Sequence, residues 1–154
     1  MRTLALAAAL LLPLPSAAAP RGSHRAMALE AGLSAPLRGG GPATPAVALT
    51  ASFWLEGPVE AIATVCAADV GSPGGRPAGE AGLRATVGDR LGFFAEAVAG
   101  WAEDGRGSAA ATAGGGLGLA WQAGPVTLGG RLGLRAGPGG SRLVLLLGVE
   151  GYFF

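Results

Sequence analysis

From residue 25 onward, apolar and polar side chains change places at nearly every second position. That is the period of a β-strand, whose side chains point alternately to two faces. Turn-forming residues cut this stretch into eight segments: 25–37, 44–56, 59–68, 78–88, 91–102, 108–122, 126–136 and 142–154. Each has about the length a tilted strand needs to cross a bilayer, ~9–11 residues or slightly more. One face reads Met27, Leu29, Leu33, Leu37, then Val47, Leu49, Phe53, Leu55, then Leu83, Val87, Leu91, Phe93, Trp101. It continues with Leu117, Leu119, Trp121, Leu128, Leu132, Leu134, Leu143, Leu145, Leu147, Val149 and Phe153. The other face carries Glu30, Thr50, Ser52, Glu60, Thr64, Glu80, Arg84, Thr86, Glu96, Thr112, Gln122, Arg131, Arg135, Arg142 and Glu150, with many glycines between them.

The connections have a rhythm of their own. The first, third, fifth and seventh (38–42, 69–77, 103–107 and 137–141) are long and rich in Gly, Pro or charge. The second, fourth and sixth are tight: Gly57-Pro58, Asp89-Arg90 and Ala123-Gly124-Pro125. An antiparallel barrel with both termini on one side of a membrane shows this alternation, short turns on the side of the termini and longer loops opposite. Eight is also an even number, as closure of such a barrel requires. The segment 59–68 is the least decided, because Ala61 to Cys66 is apolar on both faces. Alanine-rich runs there and at 109–113 also admit a helical reading, which Gly114-Gly115-Gly116 opposes in the second case.

Composition narrows the environment. Half of the 154 residues are hydrophobic and only 14% are charged, well below the ~25% of an ordinary soluble domain. No internal run reaches the ~18 apolar residues of a transmembrane helix. A chain this short buries too small a fraction of its surface to hide so much apolar area from water, so strands facing lipid are expected. Twenty-nine glycines weigh against a helical protein. The basic residues are all Arg, which reads as genome composition rather than function.

Residues 1–19 read as a secretory signal peptide: Arg2, an apolar core from Leu4 to Leu14, and the small pair Ala17 and Ala19 before the cut. Cleavage after Ala19 leaves 20–154 as a single domain, in which ten Arg balance ten acids. Near neutrality gives no reason to expect nucleic acid. Cys66, the lone cysteine, has no disulfide partner and no metal-ligand spacing around it. Neither a cofactor nor a metal is expected.

With these segments in place, the chain resembles the small eight-stranded outer-membrane barrels of the OmpA and OmpX type, without a periplasmic domain. The most specific match is the end, Val149-Glu150-Gly151-Tyr152-Phe153-Phe154. In that family the last strand ends in Phe with an aromatic two residues before it, which implies that Tyr152, Phe153 and Phe154 form the signal read by the barrel-insertion machinery. Glu150 departs from the pattern, and the parity of Leu143 to Phe153 favours a register in which Phe153 faces lipid. The resemblance implies an all-β, antiparallel, up-and-down transmembrane barrel, monomeric, in contact with outer-membrane lipid.

The lumen of an eight-stranded barrel is just wide enough for its side chains to fill. Glu30, Glu60, Glu80, Glu96 and Glu150 would share it with Arg84, Arg131, Arg135 and Arg142. Each charge left unpaired there costs several kcal/mol, so an Arg–Glu network that plugs the barrel is expected, with a structural or envelope-organising role. A narrow porin-like channel or small-solute transporter is the alternative, and a soluble secreted β-sandwich binding a small ligand is the third reading. Catalysis is not expected. His24 is the only histidine and lies outside the strands, whereas lipid-modifying barrel enzymes hold a His–Ser pair on a strand. The loops are also too short for an adhesive interface of ~800 Å² per partner.

Overall fold

The computed structural model describes residues 25–39, 41–68, 76–103, 107–137 and 140–153. The expected signal peptide, with Ala17 and Ala19, and the terminal Phe154 lie outside them. Eight strands follow one another: β1 (Arg25–Pro36), β2 (Thr44–Glu56), β3 (Val59–Ala68), β4 (Arg76–Val87), β5 (Leu91–Glu103), β6 (Ala109–Ala123), β7 (Val126–Gly137) and β8 (Gly140–Phe153). Each pairs antiparallel with the next, and β1 pairs with β8 from Arg25↔Phe153 to Pro36↔Arg142, which closes the barrel. Closure leaves no open sheet edge, so amides and carbonyls along the middle of the strands find partners in the ladder, with one irregularity in β2 between Trp54 and Glu56. In hydrocarbon, where no water can take their place, that is the condition for a β-structure to exist at all. A single closed sheet also disposes of the sandwich reading, which needs two.

Two short connections turn on glycines with left-handed backbones, Gly57 (φ 57°) and Gly124 (φ 67°), a conformation that costs glycine little. Both ends of the described chain lie at this turn end, since Arg25 pairs with Phe153. The short connection at 88–90 lies at the same end. The opposite end carries the longer connections, and the ladders shorten the expected loops: β3 and β4 stay paired to Ala68↔Arg76, and β5 and β6 to Glu103↔Ala109. Residues 137–141 read as a loop, but the ladder of β7 and β8 runs on to Gly137↔Gly140. Only 138–139 separate the strands. Gly and Ser weaken a strand without forbidding it, and the Leu37 amide donates to the Ser141 carbonyl at 2.9 Å, so Ser141 stays in the sheet.

The alternation holds in three dimensions, inside out. Of the apolar face read from the sequence, every described side chain is exposed except Val87, which is half-buried. Leu29, Leu117 and Leu147 are 67%, 69% and 64% exposed. A water-soluble monomer rarely leaves more than a few hundred Å² of contiguous apolar surface uncovered, and here such surface goes round the whole barrel. β3 settles into the same scheme. Val65 points outward at 66% exposure while Ile62 is buried, because Thr64 is held inward between Thr50 and Glu80 in the register. Trp101 and Trp121, both exposed, stand at opposite ends of the barrel, Trp101 near the loops and Trp121 opposite Leu91 beside a turn. That is where amphipathic rings sit in the two membrane interfaces.

Candidate functional site

The inward positions hold the charges, and their centre is Glu96 of β5. Its side chain has no solvent exposure. Three guanidinium groups donate to its carboxylate: Arg84 Nη2 at 3.3 Å, Arg131 Nη1 at 2.8 Å and Arg135 Nη2 at 3.0 Å. Arg84 is its cross-strand neighbour in the register. Arg131 and Arg135 come from β7, two strands round the wall, so their bonds reach across the lumen rather than along the sheet.

Each arginine then meets a second acid. Arg131 Nη2 donates to Glu30 Oε2 at 2.6 Å, and the Thr50 hydroxyl donates to the same oxygen at 2.9 Å. Thr50 is in turn 3.0 Å from the Thr64 hydroxyl. Arg135 Nε donates to both Glu80 oxygens at 2.8 and 2.9 Å, and its Nη1 donates to the Gly115 carbonyl at 3.1 Å. Arg84 Nη1 lies 3.7 Å from Glu150. The face of its guanidinium stands 4.5 Å from the centroid of the Phe94 ring, an attraction between cation and π-cloud that strengthens away from water. The Arg84 and Arg131 Nε atoms are buried with no hydrogen-bond partner among the described residues. These bonds tie β1, β4, β5, β7 and β8 to one another through the middle of the barrel.

The remaining expected members lie to either side. Glu60, opposite Arg84 in the register of β3 and β4, hydrogen-bonds with Ser52 towards the turn end. Arg142 stands nearer the loops. Its Nε donates to Ser34 Oγ at 2.8 Å, and its Nη2 donates to the Ser34 carbonyl and to Thr44 Oγ1 at 3.2 and 3.1 Å. Tyr152 and Phe153 pair with Ala26 and Arg25 where β8 closes on β1.

Space for this cluster comes from inward glycines, which the sequence places between the polar residues of that face. A Cβ on Gly116 would lie 3.2 Å from Glu96 Oε1. On Gly133 it would stand 2.7 Å from Arg135 Nη1, on Gly148 2.6 Å from Glu30 Cγ, and on Gly118 against the Phe94 ring. The even-numbered run Gly114, Gly116, Gly118 shares the inward parity of β6, and Gly116 faces Glu96 in the register. Parity alone could have marked these positions as seats for long neighbours. No group of three or more His, Cys, Asp or Glu able to hold a metal occurs among the described residues. Cys66 is half-buried on the inner wall, with its thiol free.

No family model matches this chain, and no curated protein sequence matches it. Solved structures do. The crystal structure of Neisserial surface protein A superimposes with a TM-score of 0.65 at 13% identity, covering 84% of this chain and 95% of that one. A de novo designed transmembrane β-barrel gives a TM-score of 0.58 at 13% identity, with 86% of this chain and 98% of that one covered. At such identity the likeness speaks for architecture alone. The chain has the fold of the small eight-stranded transmembrane β-barrels.

Proposed function

We propose that this protein is a monomeric barrel of the bacterial outer membrane whose role is structural or envelope-organising, with its lumen shut by the arginine–glutamate network. One observation carries the reading: Arg131 and Arg135 cross the lumen to Glu30, Glu80 and Glu96. A charged group in so narrow and poorly hydrated a space stays only if its partners stay with it. Bonds that cross the lumen and keep the charges paired support a plug rather than an open polar path. The exposed apolar band and the tryptophans near both rims support lipid as the surrounding phase. The aromatic C-terminal residues Tyr152, Phe153 and Phe154 support delivery by barrel-insertion machinery. A non-catalytic role fits a lumen in which Glu30, Glu80 and Glu96 are committed to arginines.

Conductance tests the shut lumen against the channel or transporter reading. In planar lipid bilayers the purified protein is expected to give no resolved current steps in molar KCl. Discrete, ion-selective steps would overturn the plug and favour a pore lined by the same residues.

A further inference from the structure

The lumen is filled unevenly. On the turn side of the network, Phe94 and Ile62 are 8% and 3% exposed and pack the space. On the loop side the wall is built from small residues, and a cavity of about 110 Å³ remains beside Ser34, Cys66, Ala78, Ala102, Thr112 and Val144. A second cavity of about 60 Å³ continues it inward, sharing Ser34, Cys66 and Val144 and reaching Arg131. Protein interiors are packed to the density of organic crystals, so a void of this size in half of a lumen is a feature of the sequence. An apolar cavity of ~150 Å³ accepts a benzene ring, and barrel mouths are among the places where ligand pockets recur.

Two observations define the chemistry of a guest. Arg135 and Arg142 line the cavity together with Glu80 and Glu103, so its charges balance, and Arg135 on the floor is already matched by Glu80 and Glu96. A charged guest would lose its hydration there without gaining a free counter-charge. Thr112 Oγ1, by contrast, is buried and has no hydrogen-bond partner among the described residues. A buried hydroxyl left unsatisfied is a standing cost that one ligand group would relieve.

We propose that the loop-side half of the lumen is a closed-ended binding site for a small, neutral, ring-sized molecule. Its single hydroxyl or carbonyl bonds to Thr112, and its body rests against Cys66 and Val144. The floor of the site is the arginine–glutamate network, so the inference rests on a shut lumen. Conductance tests that premise separately.

The thiol of Cys66 supplies the readout, with phenol as the probe. In the folded, detergent-solubilised barrel, methyl methanethiosulfonate is expected to modify Cys66, and phenol is expected to slow that modification in a saturable way. Thr112→Val, nearly equal in size, should leave the rate without phenol unchanged and weaken protection about five- to tenfold, the weight of one hydrogen bond. Val144→Trp, which fills the cavity, should abolish protection, with Ala78→Leu serving if the tryptophan variant does not fold. Cys66 that reacts only after unfolding would overturn the site. So would phenol protection that is equal in the wild type and Thr112→Val.

Discussion

Glu96→Ala is expected to cost the folded barrel more than any other single change to its interior. The carboxylate receives three guanidinium groups and has no exposure to water. Without it, Arg84, Arg131 and Arg135 remain buried and short of counter-charge. Removing one partner of a buried ion pair costs roughly 3–5 kcal/mol. Relief by solvent is restricted on the turn side, where Phe94 and Ile62 pack the lumen. Glu80→Gln should cost clearly less, since Arg135 keeps its bond to Glu96 at 3.0 Å. Urea titration of the barrel refolded in lipid vesicles, followed by the fraction that keeps its compact mobility on a gel, gives both values. Equal midpoints for Glu96→Ala and Glu80→Gln would mean that Glu96 is not the hub.

Leu132→Arg should be nearly as damaging, for the opposite reason. Leu132 lies in the middle of β7, opposite Leu117 and Leu145 on the exposed face. An arginine facing lipid at mid-membrane costs a β-barrel about 2–4 kcal/mol, falling to roughly 0–1 near the interfaces. Leu91→Arg is the matched control. Leu91 is equally outward-facing but is the first residue of β5, beside a turn. Lower folding stability for Leu132→Arg than for Leu91→Arg, measured in the same vesicles, is the expected ranking. In a barrel surrounded by water, both substitutions would be close to neutral.

Much of this architecture was legible because a strand has a period of two and each strand here has one lipid-facing side. The parity of Leu128, Leu132 and Leu134 placed Arg131 and Arg135 inside β7 before any contact was known. Parity fails where both faces are apolar, as in Ala61 to Cys66. There the neighbours decide, through Thr64 held between Thr50 and Glu80. It fails also where composition imitates a loop, since a Gly- and Ser-rich end reads the same whether or not its backbone is paired.

The site was legible as a set of residues and not as a set of bonds. Arg131 and Glu30 are 101 positions apart and meet across the lumen. Nothing local to either residue selects that partner over Glu60 or Glu150. The choice depends on barrel closure and on the relative heights that register assigns. The loop-side cavity was hidden for the same reason. Ser34, Cys66, Ala78 and Thr112 are unremarkable apart and leave a void only because closure brings small residues to one level.

The central claim is a closed barrel that lives in lipid, and gel mobility tests it most directly. Protein extracted in detergent is run on a denaturing gel with and without boiling. A closed barrel resists the detergent until heated, so the unboiled sample should migrate faster and the shift should vanish on boiling. A protein that leaves the membrane fraction without detergent and runs at one position under both conditions would contradict the account.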